Sequence, residues 1–297
     1  MTGTRVLTAL VLIPVVVALV LLTSTAVVAV STAIITLLAL SEYFALGEAI
    51  GHRAYRLWTM ICAVLLFAPY ALRAVRDTPY LPLVSNTSPH NWEFGLLRER
   101  LDVFYAPTLI LFLFVLGLAV LTLFTRRPLV ESLPSAGISS SALLLVAFPL
   151  SFAVRLHGLP TVGPRLLLFA LAITWAADTT AYFVGHAIGK HPLAPHLSPQ
   201  KTWEGSFGGM LGSVLAAYGF SYSIHIPVLH LLLMAVLGNI AGQMGDLLES
   251  AYKRSAGVKD SGGLLPGHGG VLDRIDALIL CIPVIWYYLV LVNPPAW

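Results

Sequence analysis

The chain has 297 residues, of which 58% are hydrophobic and only 10% are charged, and its formal net charge is +3. A soluble chain of this length needs more charged residues on its surface, so this composition, with a mean hydropathy of +0.86, excludes an ordinary soluble domain. The sequence has no basic tract with interleaved aromatic residues, which argues against nucleic-acid binding. Its apolar runs approach the about 20 residues that a helix needs to cross a bilayer. The sequence therefore predicts an all-helical, polytopic membrane protein.

Nine spans are predicted. The first, residues 1–23, contains Arg5 and a long apolar run; a cleaved secretory signal is the alternative, but the run is long for one and lacks a convincing cleavage site. The others are predicted at about 25–47, 57–74, 106–124, 138–155, 165–188, 205–223, 227–246 and 271–292. We divide the chain into residues 1–104 (spans 1–3 and an outer loop), 105–188 (spans 4–6) and 189–297 (spans 7–9 and most polar motifs).

The placement of Lys and Arg predicts the orientation. With the N-terminus in the cytoplasm, 11 of the 17 Lys and Arg residues lie inside and 6 outside, as the positive-inside rule requires. The inside residues are Arg5, Arg53, Arg56, Arg126, Arg127, Lys190, Lys201, Lys253, Arg254, Lys259 and Arg274. The C-terminus is then outside, and the charged segments 189–204 and 246–276 face the cytoplasm. One miscounted span before residue 189 would reverse this orientation.

Cysteines and glycines inside the spans are interpreted as packing residues. Cys62 and Cys281 both fall within predicted spans, which indicates buried thiols rather than a disulfide or a metal site. Glycine pairs four residues apart, such as Gly205 and Gly209, indicate close helix packing.

Asp178 lies inside a predicted span, and it is the only ionisable residue that we place within a span rather than near its end. A carboxylate there is energetically costly and usually faces a cavity or a partner. A structural hydrogen bond with Thr179 or Tyr182 is the alternative.

The segment 189–204 is predicted to contain a turn and then a helix that starts at Ser198-Pro199, since Ser caps helices and Pro suits the first turn. A helix start presents free N–H groups and the positive end of the helix dipole. Lys201 adds a charge and Thr202 a hydroxyl, so we predict phosphate binding. An interfacial lysine beside an ordinary cap is the alternative.

Two acidic pairs flank the next polar stretch. Asp246 and Glu249 are three residues apart at the predicted end of one helix, and Asp273 and Asp276 are three apart at the start of another. Residues at i and i+3 share a helix face, so each pair can point into one site. Such pairs suit hard divalent cations, Mg²⁺ above all. The helix dipole alone also favours Asp at a helix start, which is the alternative for Asp273 and Asp276.

Cations and glycines accompany these acidic pairs. The cations are Lys253, Arg254, Lys259 and Arg274. Glycines, including Gly269 and Gly270, allow the backbone to present N–H groups to an anion. His268 either bonds a phosphate oxygen or satisfies the turn. Carboxylate-bound Mg²⁺, Lys and Arg, and a glycine-rich turn are what phosphoryl or nucleotidyl transfer requires.

The pattern Ser250-x-Tyr-Lys-Arg-x₄-Lys-Asp-x-Gly-x₂-Leu-Pro-x-His-Gly-Gly-Val-x-Asp-Arg-Ile-Asp276 extends over 27 positions. It resembles the signature of phosphatidate cytidylyltransferases, also called CDP-diacylglycerol synthases. The segment from Trp175 through Asp178 to Ser198-Pro-x-Lys-Thr-x-Glu-Gly resembles the same family. Two positions depart from it: Tyr252 replaces a usual aliphatic residue, and Gln200 replaces a small or basic one. The first 160 residues match only in having several apolar spans.

The resemblance implies transfer of a cytidylyl group from CTP to phosphatidate in phospholipid biosynthesis, giving CDP-diacylglycerol and pyrophosphate. It implies a requirement for Mg²⁺, optionally with a second, monovalent cation such as K⁺. It also implies a homodimer in a bacterial inner membrane, with the active site on the cytoplasmic side. By family analogy the metal ligands are Asp246, Asp273 and Asp276. The candidate catalytic residues are Asp246, Lys253, Lys259, Asp273, Arg274 and Asp276. The candidate substrate-binding residues are Asp178, Ser198, Lys201, Thr202, Arg254, His268, Gly269 and Gly270.

Three other functions are alternatives. A CTP-dependent lipid kinase would use similar groups. A CDP-alcohol phosphatidyltransferase would have a longer Asp-Gly…Gly…Asp…Asp pattern, which this sequence lacks. An ion transporter with an Asp- and Lys-lined path should carry charges or broken helices near the middle of several spans, whereas only Asp178 fits that description.

Overall fold

A computed structural model describes residues 2–76, 106–264 and 269–292. Most of these residues are helical. The helices are α1 (Thr2–Leu22), α2 (Thr25–Ala49), α3 (Arg56–Arg76), α4 (Ala106–Phe124), α5 (Leu129–His157), α6 (Gly163–Ile188), α7 (Trp203–Phe220), α8 (Val228–Ser255) and α9 (Leu272–Val292). Most of the predicted outer loop before Ala106, and His268, lie outside the described residues.

Six of the described helices are long and apolar enough to cross a membrane, namely α2, α4, α5, α6, α8 and α9. The apolar parts of α1 and α3 are shorter, at Leu10–Leu22 and Arg56–Leu72. The prediction of a helical polytopic membrane protein is therefore confirmed. The count of nine spans, the orientation of the termini, the retention of the first span and the three-region division stay predictions.

A short β-hairpin between α6 and α7 corrects the all-helical prediction. Strand β1 (Pro192–Ala194) pairs antiparallel with β2 (Ser198–Thr202). The predicted helix start at Ser198-Pro199 was wrong, because a residue that precedes proline is pushed toward extended backbone. Helix α7 begins at Trp203 instead, where the Thr202 side chain accepts a hydrogen bond from the Gly205 N–H at 3.1 Å. Thr202 is therefore the N-cap of α7.

Helix α5 is continuous but widens into a π-helical turn over Leu143–Ala147. Pro149 lies two residues after the end of this turn, and its nitrogen cannot donate the usual hydrogen bond to the preceding turn. A local widening of this kind accommodates the missing donor without ending the helix.

Two clusters of buried side chains form the interior. The first joins α2, α3, α4 and α5 and includes Phe44 and Phe114. The second joins α1, α2, α5, α6, α7, α8 and α9 and includes Phe169. Helix α9 belongs to both, with Leu272 in the first cluster and Ile282 in the second. The last helix is thus held from both halves of the chain.

The packing predictions for cysteine and glycine agree with the structure. Cys62 and Cys281 are buried free thiols. Helix α7 lies close to α6: a β-carbon added at Gly209 would stand 3.1 Å from the Ala177 carbonyl oxygen. A side chain there would push the α6 backbone away by a few tenths of an ångström, so the small residue at this position allows α6 and α7 to pack closely.

Substituting Gly209→Val should therefore destabilise the protein by about 1–3 kcal/mol, the usual range for overpacking. The measurement is thermal unfolding in detergent. Gly219→Val is the matched control, because nothing lies within 4 Å of an added β-carbon there. Equal melting temperatures for the two variants would contradict the close contact.

Candidate active site

Three carboxylates meet where α8 packs against α9. One oxygen from each of Asp246, Glu249 and Asp276 lies within 4.8 Å of the others. Asp246 and Glu249 share a face of α8, as their spacing predicted. Gly245 allows α9 to approach, because its α-carbon faces the backbone carbonyl of Asp276 with no room for a side chain. We call Asp246, Glu249 and Asp276 the acidic cluster.

Helix α8 continues to Ser255, well beyond its predicted end at about 246. Lys253 and Arg254 therefore lie in its last turn, rather than in the connection to α9 where the sequence analysis had put them. Because Lys253 follows Glu249 by four residues, the two side chains share a helix face and form an ion pair.

The charge and burial of the acidic cluster fit a bound divalent cation. Glu249 is buried, at 4% exposure. Neither of its carboxylate oxygens accepts a well-formed hydrogen bond from a described residue, although one forms the ion pair with Lys253. Asp246 is paired with Lys201. Converging acidic side chains that include a buried oxygen without a hydrogen-bond donor, Glu249 Oε1, are a donor set suited to Mg²⁺.

Asp273 is not part of the acidic cluster. Its carboxylate accepts a hydrogen bond from the Lys253 ammonium at 2.6 Å and from the backbone N–H groups of Ser261 at 3.0 Å and Gly270 at 2.8 Å. These bonds tie the connection between α8 and α9 to the start of α9. The predicted role of Asp273 as a metal ligand stays a prediction. In this geometry its oxygens accept the hydrogen bonds that hold the connection between α8 and α9.

A polar cavity of about 350 Å³ lies between α6, α7, α8 and the hairpin. Four predicted substrate-binding residues line it: Asp178, Ser198, Lys201 and Thr202. Asp246 also lines it, so the cavity reaches the acidic cluster. The expectation that the intramembrane Asp178 faces a cavity therefore agrees with the structure.

Two ionic side chains, Glu204 at the start of α7 and Arg254 at the end of α8, hold the hairpin in place. The Glu204 carboxylate accepts hydrogen bonds from the backbone N–H groups of Lys190 and His191, both at 3.2 Å, and contacts the His191 ring nitrogen at 2.5 Å. This bond to His191 lowers the pKa of Glu204 to about 2, so the carboxyl is ionised at neutral pH. Arg254 donates to the Leu197 carbonyl at 3.2 Å, which fastens the hairpin turn to the end of α8.

The remaining predicted residues have different surroundings. Lys259 and Arg274 are exposed, and Gly270 is buried. Gly269 has a φ of 75°, a conformation that favours glycine. These residues lie on the connection or in the first turn of α9, beside the acidic cluster rather than inside the cavity.

The chain resembles known proteins over most of its length. It matches the cytidylyltransferase family over residues 3–292. It is 37% identical to phosphatidate cytidylyltransferase from Bacillus subtilis over 178 residues, which cover 58% of this chain and 66% of the relative. It is 32% identical to the enzyme of that name from Brucella abortus biovar 1 over 249 residues, 80% of this chain and 85% of the relative. The chain belongs to the cytidylyltransferase family.

The matched segments differ in extent. A 47% identical segment of phosphatidate cytidylyltransferase from Staphylococcus epidermidis spans 125 residues, 41% of this chain and 48% of the relative. The chain thus spans between about half and 66% of the B. subtilis and S. epidermidis relatives.

Sequence reasoning missed Glu42, which stands inside α2. Its carboxylate accepts hydrogen bonds from the Ser261 hydroxyl at 2.8 Å and from the backbone N–H groups of Val271 at 2.9 Å and Leu272 at 2.8 Å. Glu42 therefore caps the start of α9 from another helix. Asp178 was predicted to be the only ionisable residue away from the end of a span, and Glu42 is an exception because it lies seven residues before the end of α2. The available signal was a carboxylate inside the predicted span 25–47.

Tyr252, which departs from the cytidylyltransferase pattern, packs against α2. Its ring meets that of Tyr43 edge to face, with centroids 5.5 Å apart. Both tyrosines border a small gap beside Glu249 and Asp276. Tyr252 thus adds an aromatic contact between α2 and α8 next to the acidic cluster.

Replacing Glu42 by Gln should loosen the connection between α8 and α9, because an amide has a single oxygen to accept bonds from three donors. We expect a loss of about 1–3 kcal/mol in unfolding free energy. Amide hydrogen exchange over residues 256–264 should also accelerate. Glu48→Gln is the matched control on the same helix, since Glu48 is 43% exposed and pairs with Arg56. Unchanged exchange in Glu42→Gln would refute the capping role.

Proposed function

We propose that the protein catalyses transfer of a cytidylyl group from CTP to phosphatidate, with release of pyrophosphate. The observation that carries the proposal is the acidic cluster at the edge of a polar cavity, in a chain of the cytidylyltransferase family. The names of the B. subtilis and B. abortus relatives support the choice of substrates.

The proposed reaction needs little acid–base chemistry from the protein. A phosphate oxygen of the lipid forms a new bond to the α-phosphorus of CTP, and the bond from that phosphorus to the bridging oxygen of the β-phosphate breaks. Pyrophosphate leaves with the electron pair of that bond. Because the lipid phosphate is already ionised at neutral pH, positioning and charge neutralisation provide most of the catalysis.

We propose Asp246, Glu249 and Asp276 as the residues that hold Mg²⁺. The ion, when bound, supplies positive charge opposite the phosphate oxygens of the nucleotide. The buried Oε1 atom of Glu249, which accepts no hydrogen bond from a described residue, supports this assignment. Asp273 remains a further proposed ligand from the family resemblance, and a monovalent cation such as K⁺ remains a proposed second ion.

The cavity is the proposed binding site for the substrate phosphates. Lys201 lines it and pairs with Asp246, so its ammonium can contact a phosphate without leaving the acidic cluster. The Ser198 and Thr202 hydroxyls add donors at the same wall. Lys253 neutralises Glu249 and Asp273 and thereby positions both. Arg254, Lys259 and Arg274 would attract the anionic substrates to this end of α8 and α9.

We also propose that the site faces the cytoplasm of a bacterial inner membrane and that the protein is a homodimer. The excess of Lys and Arg on the predicted cytoplasmic side supports the orientation. The bacterial relatives support the membrane. The dimer rests on the family resemblance alone.

The first test uses purified protein in detergent with phosphatidate, Mg²⁺ and each radiolabelled nucleoside triphosphate in turn. We expect CDP-diacylglycerol and pyrophosphate from CTP, and loss of both products on chelation. Transfer of the γ-phosphate to the lipid would indicate a lipid kinase instead. Absence of product with every nucleotide, in a folded protein that binds Mg²⁺, would contradict the proposal and favour a transporter.

The metal assignment is tested by Glu249→Gln and Asp276→Asn. Each should lower kcat by about 100-fold or more, since a catalytic cation contributes several kcal/mol to transition-state stabilisation. Mn²⁺ binding, measured by electron paramagnetic resonance, should weaken in both. Glu131→Gln is the control, because Glu131 pairs with His52 away from the cluster. Near-normal activity in both acidic variants would rule out the assignment.

The variant Asp273→Asn distinguishes a metal-ligand role of Asp273 from a purely structural role. A ligand role predicts weaker Mn²⁺ binding at an unchanged melting temperature. A purely structural role predicts a lower melting temperature and Mn²⁺ binding like that of the wild type.

A further inference from the structure

A large groove lies between α3 and α4, in the N-terminal half of the chain. The candidate active site is formed by later helices. The volume of the groove is about 790 Å³, within the range of small-molecule binding sites. The apolar walls are formed by Leu57, Trp58, Ile61, Leu113, Leu116, Gly117, Val120 and Leu121. No described residue lines both this groove and the cavity beside the acidic cluster. It is therefore a separate feature.

The groove runs along the exposed side of α4, a helix long and apolar enough to cross a membrane. Only 22% of the 18-residue apolar stretch of α4 is buried, the lowest share among the six membrane-spanning helices. On the walls, Leu116 is 51% exposed and Ile61 is 42% exposed. The wall on α4 extends from Leu113 to Leu121, about 12 Å along the helix axis. That length is close to the roughly 15 Å of hydrocarbon in one leaflet.

Trp58 forms the floor of the groove. Its indole N–H donates to the Phe114 carbonyl at 3.1 Å, and its ring lies directly against Gly117. The aromatic side chain is therefore fixed, and the absence of a side chain at Gly117 gives the groove its depth.

The groove is positively charged at the end where the helices stop. Arg53 follows α2, Arg56 is the first residue of α3, and Arg127 follows α4; all three line the groove. Glu48 is the one acidic lining residue among those that the structure describes, and it pairs with Arg56 at 2.8 Å. The mouth therefore carries an excess of positive charge.

Two of these arginines have no acidic partner among the described residues. Arg127 donates to the backbone carbonyls of Arg53 and Ala54 and to the Ser135 hydroxyl, and its guanidinium stacks over the Tyr55 ring at 4.9 Å. These neutral contacts orient the guanidinium without cancelling its charge. The exposed Arg53 side chain makes no hydrogen bond or ion pair with a described residue.

We propose that this groove binds one anionic glycerophospholipid from the bilayer. The lipid phosphate contacts Arg53 and Arg127, and one acyl chain lies along Ile61 and Leu116 over Trp58. Arginines at helix ends lie at head-group level, and basic pockets between membrane helices bind anionic head groups. The planar guanidinium matches the geometry of phosphate oxygens. A water-soluble anion would contact the arginines but not the apolar walls. The positive charge and the length of the apolar walls together therefore favour a lipid.

The test measures binding of dioleoyl phosphatidylglycerol to the full-length protein in detergent by native mass spectrometry. The wild-type protein should retain one lipid molecule. The Arg53→Gln variant should bind this lipid about fivefold more weakly, as expected for loss of one cationic contact. Leu116→Trp, which fills the groove without touching its charges, should weaken binding at least as much. Arg126→Gln is the matched control, because Arg126 is exposed and adjacent but does not line the groove. Zwitterionic phosphatidylcholine should bind more weakly than phosphatidylglycerol.

Several results would overturn the proposal. Equal phosphatidylglycerol binding by wild type, Arg53→Gln and Leu116→Trp would show that the groove is not the lipid site. Equal affinity for phosphatidylcholine would remove the role of charge. Full competition by soluble glycerol 3-phosphate would indicate a simple anion site. A change of oligomeric mass in Leu116→Trp, with lipid binding unchanged, would assign the groove to a second copy of the chain.

Discussion

Repulsion among three converging carboxylates is the constraint on which the rest of the site depends. Asp246, Glu249 and Asp276 lie within 4.8 Å of one another, where like charges in a poorly solvated region oppose folding. Two lysines counter them. Lys201 reaches Asp246 from the hairpin, and Lys253 reaches Glu249 from the next turn of α8. Each compensating charge therefore also fixes a piece of backbone beside the cluster.

Those pieces of backbone form the walls of the candidate active site. The hairpin that carries Lys201 closes one side of the cavity and is fastened to α8 through Arg254. Lys253 extends the network to Asp273, which in turn holds the connection between α8 and α9. The same lysines thus neutralise the carboxylates and set the shape of the site. A divalent cation bound to the acidic cluster would balance the remaining negative charge.

The N-terminal half also contributes to this arrangement. The expectation that it resembles the family only in having apolar spans was wrong, because the family match begins at residue 3. Glu42 caps α9, and Tyr43 packs against Tyr252 on α8. Helix α9 also joins the buried cluster formed by α2 to α5. The signature residues therefore acquire their positions from helices that carry no signature. The same half of the chain also contains the groove between α3 and α4.

The sequence by itself determined the features that depend on local periodicity and composition. Apolar run lengths predicted the helical membrane class, and the spacing of Asp246 and Glu249 placed both on one face of a helix. Proximity along the chain was also enough to group Lys201 and Thr202 with Ser198, which the structure brings to one cavity wall. These inferences succeeded because a helix repeats every 3.6 residues and neighbours in sequence remain neighbours in space.

Only the tertiary structure decided which carboxylates meet. The sequence offered Asp273 and Asp276 as equivalent members of a pair, but α8 and α9 pack so that Asp276 faces Glu249 and Asp273 faces Lys253. The capping of α9 by Glu42 joins residues 230 apart in sequence, as its bond to Leu272 shows. No local pattern encodes that separation. Side-chain pairing across helices depends on their rotation and approach, which packing sets and periodicity does not.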